Sequence, residues 1–181
     1  MMRYNVSQLL KDHIGATRHY PLQQDISDLD PSLKPLTLLS GNVELIRTND
    51  GILVRADLRT NVELTCSRCL TQFSTPVRFR IEEEFYPTID ISTGARLPQP
   101  DDADPATLID VHHLLDLSEI VRQDLTLALP LVPLCRNDCK GLCPNCGTNW
   151  NDGDCDCAVQ ELDPRFAVLK QLLDDSNIQN N

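Results

Sequence analysis

The sequence predicts an α+β fold: an antiparallel β-meander with a few flanking helices and a C-terminal cysteine-rich segment. Three observations predict it. Apolar and polar residues alternate with period two across 36–86, the mark of strands with one buried face. Shorter stretches on either side space their apolar residues at helical intervals. Finally, the 181 residues include eight cysteines, grouped as close pairs, with six of them falling between 135 and 157.

Asn5 to Lys11 predicts a short helix capped by Asn5, with Val6, Leu9 and Leu10 on one face and Gly15 ending it. Residues 20–35, rich in Pro and Asp, predict irregular chain. The clearest strand runs from Ile52 to Cys66. Ile52, Val54, Ala56, Leu58, Thr60, Val62 and Leu64 lie on one face; Leu53, Arg55, Asp57, Arg59, Asn61, Glu63 and Thr65 lie on the other. Asn49-Asp50-Gly51 is a hairpin-turn signal that pairs this strand with 42–47. Val77, Phe79, Ile81 and Phe85 then alternate with Arg78, Arg80, Glu82 and Glu84 in a following strand.

Residues 87–107 carry prolines and a run of Asp, which predicts an acidic mobile loop whose simplest role is solvation. Leu108 to Val111 predicts a short strand. Asp116-Leu117-Ser118-Glu119 resembles a capping box opening a helix with Leu117, Ile120, Val121, Leu125 and Ala128 on one face. Pro130 and Pro133 stop it. Asp163-Pro164-Arg165 starts a last helix with Phe166, Leu169, Leu172 and Leu173 as its stripe, and 176–181 predicts a disordered tail. No internal repeat is visible. A metal joining distant cysteine pairs would tie 1–86 to 108–175 across the acidic loop, so 1–175 is predicted as a single domain.

A 41% hydrophobic fraction with only 4% aromatics requires an aliphatic core. No apolar run approaches the ~18 residues of a membrane span, and the first residues lack a signal-peptide pattern. A soluble cytoplasmic protein is expected. In that reducing compartment, close cysteine pairs point to metal rather than disulfides. The formal net charge is −11. It is unevenly spread: 82–110 holds eight acids against Arg96 alone, whereas 1–81 is slightly basic. Phosphate contacts need Lys and Arg, so any RNA contact must come from a local patch, and a basic protein partner is equally suited.

The pairs are Cys66 and Cys69, Cys135 and Cys139, Cys143 and Cys146, and Cys155 and Cys157. Two residues between cysteines let one turn aim both sulfurs at one ion. Gly147 after the third pair suits the reversal of a knuckle. All-thiolate sites suit Zn²⁺ or iron–sulfur clusters, but the ferredoxin spacings are absent, so two zinc ions are predicted. The preferred division joins Cys66, Cys69, Cys135 and Cys139 at one ion and Cys143, Cys146, Cys155 and Cys157 at the other. The closeness of Cys139 to Cys143 leaves a division that groups the second and third pairs open. Eight thiolates would fill both tetrahedra, leaving no position for substrate water. No hydrolase, deaminase or phosphate-loop motif is present, so neither an enzymatic activity nor a small-molecule substrate is expected. His112-His113 fits a structural role better than a ligand pair.

Several longer motifs carry a resemblance: Cys66-Ser67-Arg68-Cys69-Leu70; Leu115-Asp116-Leu117-Ser118-Glu119; Ala128-Leu129-Pro130-Leu131-Val132-Pro133-Leu134-Cys135; and Cys139-Lys140-Gly141-Leu142-Cys143-Pro144-Asn145-Cys146-Gly147. With an opening at Tyr4-Asn5-Val6-Ser7-Gln8-Leu9-Leu10 and a close at Asp163-Pro164-Arg165-Phe166-Ala167-Val168-Leu169, the chain resembles the YceD-type large ribosomal RNA subunit accumulation proteins. Asn149-Trp150-Asn151 departs from the family pattern, where Leu is expected in the middle. The resemblance implies a role in synthesis or accumulation of large-subunit ribosomal RNA, with no known enzymatic activity.

On that basis the expected partner is large-subunit (23S) ribosomal RNA, a basic ribosomal protein or a precursor particle, with no membrane involved. The candidate contact surface is the polar face of the sheet, with Arg55, Arg59, Arg78 and Arg80, joined by Arg68 in the knuckle. The simpler reading pairs these arginines across strands with Asp57, Glu63, Glu82 and Glu84. Two other functions fit the cysteines: a zinc-ribbon nucleic-acid binder serving transcription, and an iron–sulfur electron carrier. The first predicts salt-steep binding that the net charge opposes, and the second predicts a coloured protein.

Overall fold

The structure, a computed structural model, describes residues 2–101 and 103–157. The helix predicted from Asp163 and the tail at 176–181 lie outside the described residues. Where the sequence predicts one domain over 1–175, the chain divides into two compact units, Met1–Cys139 and Lys140–Asn181.

The first unit is mostly β. Its elements are β1 (Arg3–Asn5), α1 (Ser7–Lys11), β2 (Thr17–Gln24), β3 (Leu39–Arg47), β4 (Ile52–Thr65), β5 (Gln72–Pro87), β6 (Leu108–Ile109), β7 (Leu114–Asp116) and α2 (Ser118–Ala128). Strands β2 to β6 form one sheet in sequence order, and β1 pairs with β7 in a second, two-stranded sheet. The meander is antiparallel from β2 to β5, as predicted for β3 to β5, but β6 joins the edge of β5 in parallel, so the sheet is mixed.

The long strands follow their period. Ile52, Val54, Ala56, Leu58 and Val62 are buried, and so are Val77, Ile81 and Phe85 across from them. Leu39, Val43 and Leu45 of β3 continue the buried face. Val6, Leu9, Leu10, Leu115, Leu117, Ile120, Val121 and Leu125 complete the core from α1, β7 and α2. Burying each large aliphatic side chain contributes about 1.5–3 kcal/mol. Thr60 alone puts a polar group on the buried face of β4, and its hydroxyl donates to the Thr37 carbonyl at 2.9 Å.

Several local expectations are corrected. Residues 17–24, in the stretch predicted irregular from residue 20, form β2 in full register with β3. Pro21 is tolerated because β2 is an edge strand, where a missing N–H need not break the ladder. Asn5 belongs to β1, and the cap of α1 is Val6. Asn5 Oδ1 instead accepts the Ser7 N–H at 3.1 Å and the Ser7 hydroxyl at 2.7 Å. The capping box at 116–119 does not form either. Asp116 Oδ1 accepts the Ser118 N–H at 2.9 Å from one residue outside the Leu117 cap. Ala128, predicted on the apolar face of α2, is exposed.

Glu119 turns outward to Arg122, with Nη2–Oε1 at 2.6 Å, and Arg122 reaches Asp30 at 3.4 Å. The Arg122 guanidinium, with the Gln123 amide, holds the Glu119 carboxyl down at about 2. A carboxylate lowered on folding stabilises above its unfolded pKa and loses that contribution as pH falls through the folded value. Glu119→Gln is therefore expected to lower the neutral-pH melting temperature slightly, with the difference from the parent protein vanishing as pH falls from about 4.5 to 2. Thermal denaturation across that pH range checks this.

The segment after β5, predicted as a mobile loop, carries a hydrogen-bonded turn. Asp90 Oδ1 accepts the Thr93 N–H at 2.7 Å, and the Leu97 N–H returns to the Thr88 carbonyl at 3.1 Å. His112 and His113 form the turn between β6 and β7, where the His113 carbonyl accepts the Val6 N–H at 2.9 Å. Among the described residues, no helix is long and apolar enough to cross a membrane.

Candidate metal centres

The β4–β5 hairpin closes through a knuckle, Cys66-Ser67-Arg68-Cys69-Leu70-Thr71, between the paired ends Thr65 and Gln72. The Cys66 N–H donates to the Thr71 carbonyl at 3.0 Å, and the Leu70 N–H returns to the Cys66 carbonyl at 3.0 Å. Cys135 and Cys139 arrive on the chain that leaves α2. Two bonds tie that chain to the knuckle: the Ser67 N–H donates to the Pro133 carbonyl at 2.8 Å, and Arg68 Nη1 donates to the Cys139 carbonyl at 2.9 Å. The Sγ atoms of Cys66, Cys69, Cys135 and Cys139 all lie within 4.8 Å of one another. Two of the separations are 3.8 Å, Cys66 to Cys139, and 3.6 Å, Cys69 to Cys135. A tetrahedron with Zn–S bonds near 2.3 Å has edges of about 3.8 Å, so the quartet is already the size of a single-ion site.

The second unit holds the other quartet, Cys143, Cys146, Cys155 and Cys157, again with every Sγ within 4.8 Å of the rest. The structure thus brings together the two preferred groupings. It also shows a local repeat that the sequence did not reveal. In Cys143-Pro144-Asn145-Cys146-Gly147-Thr148 the Cys143 N–H donates to the Thr148 carbonyl at 2.8 Å, and the Gly147 N–H to the Cys143 carbonyl at 2.9 Å. This is the pattern of the first knuckle. In both, a threonine hydroxyl meets the second cysteine: Thr71 to Cys69 at 3.4 Å and Thr148 to Cys146 at 3.1 Å. Cys-x-x-Cys-x-Thr is the signal that could have found these threonines.

The residue after the second cysteine has positive φ in both knuckles, +57° at Leu70 and +76° at Gly147. Glycine adopts that conformation freely, whereas a side chain costs roughly 1–2 kcal/mol there. Leu70→Gly is expected to raise stability by about 0.5–1 kcal/mol, the strain released less the added chain entropy of glycine. Gly147→Leu is expected to weaken the second knuckle. Denaturant melts of the first variant and metal-retention assays of the second check the pair.

The thiols are unequal. Backbone N–H groups, foremost that of Cys69, hold Cys66 down at about 6, and Thr71 lowers Cys69. Burial, together with the surrounding thiols, pushes Cys135 up to about 12. The second quartet repeats this: Thr148 holds Cys146 at about 6, while hydrogen bonding with Cys146, followed by burial, pushes Cys157 up to about 12. Trp150 hydrogen-bonds through its indole to Cys155 and lowers that thiol. The tryptophan therefore supplies an N–H donor to a sulfur. Four thiolates crowded together repel one another, and a divalent cation at their centre lets all of them ionise. The donor sets fit a tetrahedral thiophilic ion and leave it no open position.

The arginines on the candidate contact face separate into two kinds. Arg55 pairs with Glu82 at 2.9 Å and Arg80 with Asp57 at 3.0 Å, as the simpler reading predicts. Arg68 braces the first quartet from outside. Arg59 and Arg78 stand opposite one another in the β4–β5 register, and neither guanidinium has a hydrogen bond or ion pair among the described residues.

Fold and sites define a mostly β protein with two four-cysteine clusters, each able to hold a metal ion. The chain belongs to the YceD family: the family model described as large ribosomal RNA subunit accumulation protein YceD matches residues 54–173. An uncharacterized protein of Mycobacterium tuberculosis is 27% identical over 136 residues, covering 75% of this chain and 62% of the relative. Another from Mycobacterium leprae is 28% identical over 132 residues, 69% of this chain and 54% of the relative. The chain thus spans 62% or less of the length of these mycobacterial relatives. The chloroplastic large ribosomal RNA subunit accumulation protein YCED homolog 1 of Arabidopsis thaliana is 34% identical over 58 residues, 32% of this chain and 18% of that protein. No solved structure matches.

Proposed function

We propose that this chain is a non-enzymatic factor supporting synthesis, processing or accumulation of large-subunit (23S) ribosomal RNA in the cytoplasm, held together by two structural zinc ions. Family membership carries the first part, supported by the name of the Arabidopsis relative. Its partner is the ribosomal RNA, a basic ribosomal protein or a precursor particle. The test is depletion of the protein in its host. A fall in mature 23S relative to 16S RNA is the expected result, and an unchanged ratio would overturn the proposal.

Sulfur separations carry the choice of zinc. Distances of 3.8 and 3.6 Å suit thiolates around one ion. An iron–sulfur cluster inserts irons and bridging sulfides between its thiolates and spreads them farther apart. Saturated thiolate tetrahedra also support a structural rather than a catalytic role. Natively purified protein is expected to be colourless with two zinc ions per chain by elemental analysis. Visible charge-transfer absorbance with bound iron would favour the electron-carrier alternative.

A further inference from the structure

We infer that Arg59 and Arg78 form a phosphate-binding site on the outer face of the sheet, seating the sugar–phosphate backbone of single-stranded RNA. This deepens the ribosomal-RNA role proposed above and rests on it.

The register assigns each arginine its surroundings. Across the outer face, Gln23 lies opposite Ser40, Ser40 opposite Arg59, and Arg59 opposite Arg78. That row contains no acid. The next row, Pro21, Asn42, Asp57 and Arg80, contains Asp57, which neutralises Arg80; the one beyond contains Glu82, which neutralises Arg55. Like charges directly opposite on neighbouring strands destabilise a sheet. The Arg59–Arg78 pair therefore leaves a local excess of positive charge that an anion from outside would relieve.

The shape of the face agrees. Two shallow depressions, about 760 and 390 Å³, are both lined by Ser40, Arg59 and Arg78, so they meet at the arginines. Leu38 and Pro76 line the smaller one beside the charged groups. Paired guanidinium forks match phosphate oxygens in a bidentate manner. Neighbouring amide and hydroxyl side chains can meet ribose hydroxyls, and the apolar walls suit sugar or base faces. On a chain of net charge −11, so small a cationic row fits a short contact with few phosphates rather than a duplex.

The test measures binding of a labelled single-stranded oligoribonucleotide to the full-length zinc-loaded protein over a salt series, with a poly-glutamate peptide in parallel. The Arg59→Ala/Arg78→Ala variant, checked for unchanged zinc content and circular dichroism, is expected to lose on the order of tenfold affinity per arginine. Its salt slope should fall by about 1.4, the value for two single-strand phosphate contacts. Arg55→Ala/Arg80→Ala should change little. Unchanged RNA binding in the first variant, or equal competition by poly-glutamate, would overturn the inference. Should depletion lower 23S RNA while the purified protein binds no RNA, the site falls and the ribosomal role stands. Arginine-dependent RNA binding without any effect of depletion would do the opposite, keeping the site and removing the ribosomal role.

Discussion

Replacing Cys66 with Ser is expected to cut bound zinc from two ions per chain to one and to lower the melting temperature of the first unit by about 10 °C or more. Cys66 is fully buried at the tip of the β4–β5 hairpin, and its sulfur lies 3.8 Å from that of Cys139, on the chain leaving α2. One ion there would join strands to a segment more than sixty residues away, so its binding free energy would be folding free energy for the whole unit. Cys146→Ser should also remove one ion, yet leave the sheet transition near its native temperature, because all its partners lie within 143–157. The single tryptophan gives an internal control. Trp150 bonds to Cys155, so metal loss from the second quartet should change its fluorescence, whereas Cys66→Ser should not. Elemental analysis, far-ultraviolet melts and emission spectra decide the matter. Equal zinc in Cys66→Ser and the parent protein would dismiss the first centre.

Phe85→Ala is expected to destabilise the first unit by about 3–5 kcal/mol, measured by denaturant unfolding. Among the described residues Phe85 is the largest fully buried side chain, and it stands opposite Ile52 in the sheet. Removing the ring loses its transfer free energy and leaves a cavity that the long, hydrogen-bonded strands cannot collapse to fill. That loss is a large fraction of the 5–15 kcal/mol typical of a domain. Phe79, earlier on the same face of β5 and only half-buried, should cost clearly less. Comparable costs at the two positions would mean that burial does not govern the sheet's stability.

The difference between these two residues was partly visible in the alternation of 77–85, which put both on the inner face. How deeply each is covered depends on what packs against the sheet, which alternation alone does not report. The same division runs through the centres. Each cysteine pair was legible, because two sulfurs separated by a tight turn must point together. Which pairs meet was a preference until hairpin β4–β5 and the chain after α2 came within bonding distance. The repeated threonines were hidden because a hydroxyl-to-sulfur contact has no periodic signature. Strands β1 and β7 were missed because three-residue segments carry no period, and their pairing spans residues 3–5 and 114–116.

Sequence alone determined the long strands, the aliphatic core, the close cysteine pairs and the family, since alternation and local spacing act within a few residues. Tertiary structure alone decided the division into two units, the parallel edge at β6 and the fate of the arginines. Charge balance on a sheet is set by cross-strand register, which joins residues far apart in the chain: register gave Arg55 and Arg80 acids to neutralise them and set Arg59 against Arg78.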